Sequence, residues 1–248
     1  MTILHDYWRS SASWRVRIAL SIKGVKWQSR SHDLTRNEQR DSEYLSLNPQ
    51  GFVPSWQEPD GWTVAQSVAI LEYLEERFPT PALLPASARA RAEVRSLVQT
   101  IACDIHPLNN LRVTRYLREQ WQADDAQVNA WLRHWMHEGF IALEERALRQ
   151  GSAEHLYGDS LTLADVCLVP QLYNAKRFSC PLDDFPTLAR IGAHLSSLTA
   201  FSSTRPENHP GRRHPVRESH PPHSSTSASN AHRKPKPART IPAPAGRR

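Results

Sequence analysis

Cysteine is scarce in this chain, with three among 248 residues. Cys103, Cys167 and Cys180 form no CxxC pair and no metal-ligand spacing, so neither a disulfide framework nor a metal site can be read from them. They read instead as free or buried thiols in a reducing compartment. No stretch approaches the roughly 18 consecutive apolar residues of a membrane span. The opening "MTILHDYW" has no basic segment followed by an apolar run, so no secretory signal is read there. The expected location is the cytoplasm, with no membrane partner. There is no internal repeat, and beyond residue 87 almost no strand signal.

A net positive balance is missing from most of the chain, although the formal net charge is +6. Residues 211–248 hold nine Lys or Arg against the single acid Glu218, which leaves residues 1–210 slightly acidic. The high pI therefore belongs to the C-terminal stretch. That stretch carries seven prolines, many serines and no aromatic residue. With nothing to bury, 206–248 reads as a disordered basic tail. Its charge can draw polyanions non-specifically through counterion release, but no stacking aromatic supports specific nucleic-acid recognition.

What is present is an ordered run of short elements. Residues 2–8 read as a strand, 12–23 as a helix stopped at Gly24, 26–34 as a second strand and 37–47 as a polar helix. "FVPSWQEPDGWTV" at 52–64 reads as two strands turning at Pro59-Asp60-Gly61, followed by a helix from Gln66 through "VAILEYLEERF". The order is βαβ then ββα, a small mixed sheet covered by helices. Prolines end that unit in "PTPALLPAS". Helical apolar spacing then fills 87–120, 124–149, 161–178 and 186–198. The expected organisation is an α/β unit over 1–79, a linker over 80–86, an all-helical domain over 87–205 and the tail from 206. Thr162-x-x-Asp165 reads as a capping box, a structural feature worth about 1 kcal/mol.

Three local features carry chemistry. Ser10 and Ser11 stand beside Arg9 at the mouth of the first helix, where a helix N-terminus and arginines stabilise an anion and shift a thiol toward thiolate. As an isolated dipeptide they read first as a helix cap and only second as an anion site. Val53-Pro54 reads either as an ordinary strand start or as a cis bond leaving the Val53 backbone free to pair with an extended ligand. Gln66 and Ser67 open a helix and read as a carboxylate site or as a simple cap.

The blocks "SSASWRVRIAL", "LNPQGFVP", "AQSVAILEYLEERFPTPALLP", "IHPLNNL" and "TLADVCLVPQ" occur in order, and together they resemble the zeta-class glutathione transferases, the group that includes the maleylacetoacetate and maleylpyruvate isomerases. The resemblance spans about residues 1–210. It implies a thioredoxin-like N-terminal domain, an all-α C-terminal domain, glutathione as cofactor and a homodimer. It further implies that Ser10 activates the glutathione sulfur and that Ser11, Ser13, Trp14 and Arg15 share its binding block. By the same carry-over, the Val53 backbone beside Pro54 pairs with the cysteinyl part, Gln66 and Ser67 hold the γ-glutamyl carboxylate, and Gln39 adds a contact. His106, Asn110, Leu111 and Arg112 line up with residues facing the active site. The family block commonly reads Ser-Ser-Cys; here Ala12 stands in place of the cysteine. The resemblance ends before the basic tail, which reads as a divergent or shifted frame.

The activity implied is isomerisation of maleylacetoacetate, a small dicarboxylic cis-alkene, by thiolate addition, bond rotation and elimination. Maleylpyruvate isomerisation, a general transferase activity and a non-catalytic association module are the alternatives. Negative charge develops during addition, so arginines suit the site. Arg9, Arg112 and Arg177 are the substrate-binding candidates, each also compatible with a solvated role. His106 reads as a donor or base, or as an interior histidine. His106 and Asn110, four apart, are expected on one helix face, with a kink at Pro107.

Overall fold

The computed structural model describes residues 1–212, and the expected disorder and frame of 213–248 fall outside the described residues. Strand β1 (Ile3–Asp6) enters helix α1 (Ser11–Ile22), and β2 (Gln28–Ser31) returns parallel to β1, as a helical crossover requires. After α2 (Ser42–Leu47), β3 (Ser55–Gln57) and β4 (Thr63–Ala65) form an antiparallel hairpin, and α3 (Ser67–Arg77) follows. Strand order is β2-β1-β3-β4, with Leu4 opposite Trp56 at the centre. Leu4, Trp56, Val16, Leu20, Ile70 and Leu74 are fully buried there. The hairpin turns where Pro59-Asp60-Gly61 predicts, closed by Glu58 N donating to Trp62 O at 2.8 Å.

The connection to the helices is fastened by ions as well as prolines. The buried Lys23 Nζ lies 2.8 Å from Glu75 Oε2 and donates to the carbonyls of Phe78 (2.7 Å) and Pro81 (3.0 Å). Glu75 in turn accepts from Leu83 N. Helices α4 (Ala88–Gln99), α5 (Leu111–Trp121), α6 (Asp125–Gln150), α7 (Leu163–Arg177), α8 (Pro186–Ser197) and α9 (Thr199–Ser202) complete the fold. Helix α1 is buried along its whole middle because α3 and α7 both pack against it. The capping box is present, with Thr162 N donating to Asp165 Oδ2 at 2.8 Å and Leu156 N to Oδ1 at 2.7 Å. No described helix is long and apolar enough to cross a membrane.

Three expectations are corrected. The polar helix at 37–47 is a 3-10 turn (Glu38–Arg40) followed by α2, because Asp41 between them takes extended backbone (φ −65°, ψ 143°). The helix expected over 87–120 is broken into α4, a π-helical segment (Thr100–Ile105), a 3-10 turn (His106–Asn109) and α5. Pro107 cannot donate to a continuing helix, and Asn110 restarts it by accepting from Arg112 N at 3.1 Å. His106 and Asn110 therefore belong to different elements and do not share a helix face. Residues 206–212, assigned to the tail, are instead folded: Pro206–Asn208 form a 3-10 turn, and His209 is 6% exposed with Nε2 2.8 Å from Asp6 Oδ2. Composition conceals a buried hydrogen-bond partner of Asp6.

Candidate active site

Two adjoining cavities lie where α1, the 48–54 loop and the break between α4 and α5 meet. The larger, about 470 Å³, is lined by Tyr7, Arg9, Ser10, Ser11, Gln39 and Phe52 on the sheet side. On the helical side it is lined by Asn109, Asn110, Asn174, Arg177 and Phe178. The smaller, about 220 Å³, reaches Arg15, Pro54, Gln66, Ser67 and Cys103. Phe52, Val53, His106, Asn110 and Arg112 border both.

The mouth of α1 is built by Ser10. Its Oγ caps the helix by accepting from Ser13 N at 3.2 Å, so the cap uses the oxygen as an acceptor and leaves the O–H to donate. No acid stands in the first turn of α1, and the positive end of the helix faces the larger cavity. Ser11 lies on the same wall. Ser13 and Trp14 do not. Ser13 is fully buried, and Trp14 Nε1 donates to Thr204 Oγ1 at 3.0 Å while its ring stacks edge-on against Tyr173. Successive helical residues lie about 100° apart, which turns these two away from both cavities.

Val53 joins Pro54 through a cis peptide, and among the described residues its backbone N–H and C=O make no hydrogen bond. The loop before it is fixed from below, as Phe52 O accepts from Tyr44 Oη at 2.5 Å and from Asn48 Nδ2 at 2.8 Å. Gly51 has φ 61°, and a Cβ there would come within 2.9 Å of Arg40 Nη1. Gln66 holds φ 75°, a costly conformation for a non-glycine residue, and donates to Gln50 Oε1 at 2.6 Å. Ser67 opens α3 immediately after it.

Arg15 stands behind Ser67. It is 1% exposed, donates from Nη1 to Ser67 Oγ at 3.3 Å, and leaves Nε and Nη2 without partners. Burial lowers its pKa. A buried cation without a carboxylate is costly, and it places uncompensated positive potential behind the α3 N-terminus. Nearby, His106 has its pKa lowered to about 3, first by burial and then by Arg15 and Arg112. It is neutral at physiological pH and a poor base, and its Nδ1 is sealed without a partner. It is half-buried on the wall of both cavities.

The larger cavity carries Arg9, Arg40, Arg112, Arg115 and Arg177, with Glu119 the one acid on its wall among the described residues. Arg112 lies 5.0 Å over the Phe52 ring, with Arg40 also against that ring at 5.6 Å. Arg177 packs on Phe178 at 4.7 Å, and burial followed by repulsion from Arg9 lowers its pKa to about 10. Arg9 and Arg177 are thus near enough to feel each other, while Arg112 sits between the two cavities. Gln39 is buried on the same wall, its Oε1 unpartnered. Sequence reasoning missed Tyr7, Phe52, Asn109 and Asn174, whose residue types fit a core as well as a cleft. Tyr7 alone had a signal, three positions before Ser10.

The geometry is that of a site for an extended, multiply anionic ligand laid across a thioredoxin-like sheet and a helical wall. The glutathione S-transferase N-terminal domain model matches residues 9–77. Maleylacetoacetate isomerase of Pseudomonas aeruginosa is 46% identical over 209 residues, covering 84% of this chain and 97% of that protein. Among solved structures, a maleylpyruvate isomerase described as a bacterial zeta-class glutathione S-transferase superposes with a TM-score of 0.81 at 40% identity, covering 84% and 98% of the two chains. Maleylacetoacetate isomerase of Methylobacterium extorquens AM1, with bound malonate and GSH, superposes with a TM-score of 0.82 at 36% identity, covering 86% and 100%. The chain belongs to the zeta class of the glutathione transferase family.

Proposed function

We propose that the chain is a glutathione-dependent cis–trans isomerase of maleylacetoacetate. The observation that carries this reading is that the Ser10 hydroxyl, Arg9 and Arg177 converge on one cavity adjoining a second, cationic cavity at Ser67. Glutathione fits the residues present: Gln66, Ser67 and the potential of Arg15 suit its γ-glutamyl carboxylate. The unpaired Val53 backbone beside Pro54 suits its cysteinyl part, and Gln39, His106 and Asn110 complete the enclosure.

When bound, glutathione supplies a thiolate that adds to the cis double bond and departs after rotation. The Ser10 O–H would donate a hydrogen bond to the sulfur while its oxygen accepts from Ser13 N, and the α1 N-terminus and Arg9 would favour the thiolate. Arg9 and Arg177 take the carboxylate ends of the substrate and lie where negative charge develops. Arg112, between the cavities, serves both ligands. His106 acts as a neutral hydrogen-bonding group.

The protein works in the cytoplasm as a homodimer in this reading, in the breakdown of phenylalanine and tyrosine. Following the ultraviolet absorbance of maleylacetoacetate and maleylpyruvate, each with and without glutathione, tests it. Conversion of maleylacetoacetate only with glutathione is expected; equal conversion without it refutes the proposal, and a strong preference for maleylpyruvate reassigns the substrate.

A further inference from the structure

The segment before Ser10 is held in place by the far end of the chain. Arg17, buried in α1, donates from Nη2 to Trp8 O at 3.0 Å and from Nη1 to Tyr7 O at 3.5 Å. It thereby grips the loop that carries Arg9 and delivers Ser10. Its charge is matched by Asp6, whose Oδ2 lies 3.1 Å from Arg17 Nη1. Asp6 Oδ1 accepts from Ser29 Oγ at 2.8 Å, and Oδ2 lies 2.8 Å from His209 Nε2. The His209 tautomer is fixed by geometry: Gly211 N donates to Nδ1 at 2.9 Å. Nδ1 is therefore the acceptor, and Nε2 carries the hydrogen, which faces Asp6 Oδ2 at 2.8 Å with Ser29 Oγ beside it at 3.0 Å. Further contacts bind the same segment, as Thr204 O accepts from Arg17 Nε at 3.4 Å and Arg212 lies 5.9 Å over the Trp8 ring.

We infer that His209 is a positioning residue for the glutathione thiol, acting through Asp6 and Arg17 on the loop that carries Arg9 and Ser10. Asp6 is fully buried and the His209 side chain nearly so. Removing one donor from a buried carboxylate leaves it under-satisfied, and Asp6 can recover only by drawing Arg17 or Ser29 toward it. The shift of Arg17 loosens its grip on the Tyr7 and Trp8 carbonyls. The γ-glutamyl end, on α3, is untouched. The inference rests on the reading that Ser10 activates the sulfur.

His209→Gln, His209→Asn and His209→Ala test it. Glutamine places an N–H near Nε2 and keeps the bond to Asp6, whereas asparagine mimics Nδ1 and loses it. The thiolate of bound glutathione is titrated by its ultraviolet absorbance, and kcat, KM and the glutathione Kd are measured beside it. In His209→Asn and His209→Ala the titration midpoint is expected to rise by about one pH unit, with kcat below the midpoint falling about tenfold. The Kd should change less than about threefold, and His209→Gln should match the wild type. The inference is overturned if His209→Asn, still folded, keeps the wild-type midpoint and kcat while only its melting temperature falls. It is also overturned if His209→Gln fails as badly as His209→Asn. A wild-type protein that binds glutathione but isomerises neither maleyl compound removes the substrate reading alone, because the midpoint comparison needs only glutathione.

Discussion

Arg15 and Ser67 meet at 3.3 Å behind the smaller cavity, and the guanidinium has no other partner among the described residues. An arginine sealed away without a carboxylate lowers the stability of the empty protein and raises its affinity for an anion placed over Ser67. Arg15→Met should therefore weaken glutathione about ten- to a hundredfold in titration calorimetry, the size of a lost charged hydrogen bond. Its melting temperature should hold or rise. Unchanged affinity would show that the potential behind α3 is irrelevant to binding.

Ser10 has two tasks that substitution separates. Ser10→Ala removes both the helix cap, about 1 kcal/mol or about 2–4 °C in Tm, and the donor to sulfur. Ser10→Asp restores the cap but places a negative charge beside the thiol. Ser10→Asp should therefore melt near the wild type yet ionise bound glutathione even less readily than Ser10→Ala. If Ser10→Asp retained wild-type turnover, Ser10 would be a cap and nothing more.

Arg9 and Arg177 repel each other enough to contribute to lowering the Arg177 pKa, a tension that a dicarboxylic ligand relieves. Arg9→Met and Arg177→Met should each raise KM for the maleyl substrate more than about tenfold. The glutathione Kd should stay within about threefold for Arg177→Met, since Arg177 is assigned to the substrate carboxylate and not to glutathione. An unchanged KM in both variants would return these arginines to a solvated role.

Much of this was legible before any coordinates, where the cause was local. The 59–61 turn, the start of α3 and the Thr162–Asp165 box each carry their explanation within a few residues. The break near His106 was only half legible. Pro107 marks it, but the π-helical turn before it depends on Gly139 in α6: a Cβ there would fall 2.2 Å from Ile105 Cγ1. The apolar spacing of 87–120 runs through the break unchanged, so periodicity reads one helix. Ser13 and Trp14 line neither cavity, because a family block marks a neighbourhood and not a side-chain direction. His209 was lost in a basic, proline-rich stretch whose composition hides a single buried contact to Asp6.

The close approach of Gly139 to Ile105 has its own consequence. Gly139→Ala should overpack this crossing, costing about 1–3 kcal/mol or several degrees in Tm, and should displace His106, the next residue. Ile105→Ala removes the colliding atoms, so Gly139→Ala with Ile105→Ala should be more stable than the two separate losses predict. Additive losses in the double-mutant cycle would refute the steric account.

Histidines held below their ordinary value by burial, His5, His32 and His106, make the fold sensitive to acid. His32 is held down to about 4, chiefly by burial and then by His5, with which it stacks at 5.3 Å and shares a 3.0 Å hydrogen bond. His106 is held down to about 3. Both lie below the ordinary value of 6.5, so between about pH 4 and 6.5 the unfolded chain binds protons that the native chain refuses. Linkage then makes stability rise with pH across that window. Their contribution is complete above 6.5 and drains away on acidification. Thermal melts from pH 7 to 4.5 should show a falling Tm, and His32→Asn should flatten that fall whatever its effect at pH 7. The Arg15→Met variant provides a second check, since removing a cation beside His106 eases its protonation and should shallow the same slope. Parallel curves for wild type and His32→Asn would mean that the histidine pair takes up protons in the native state.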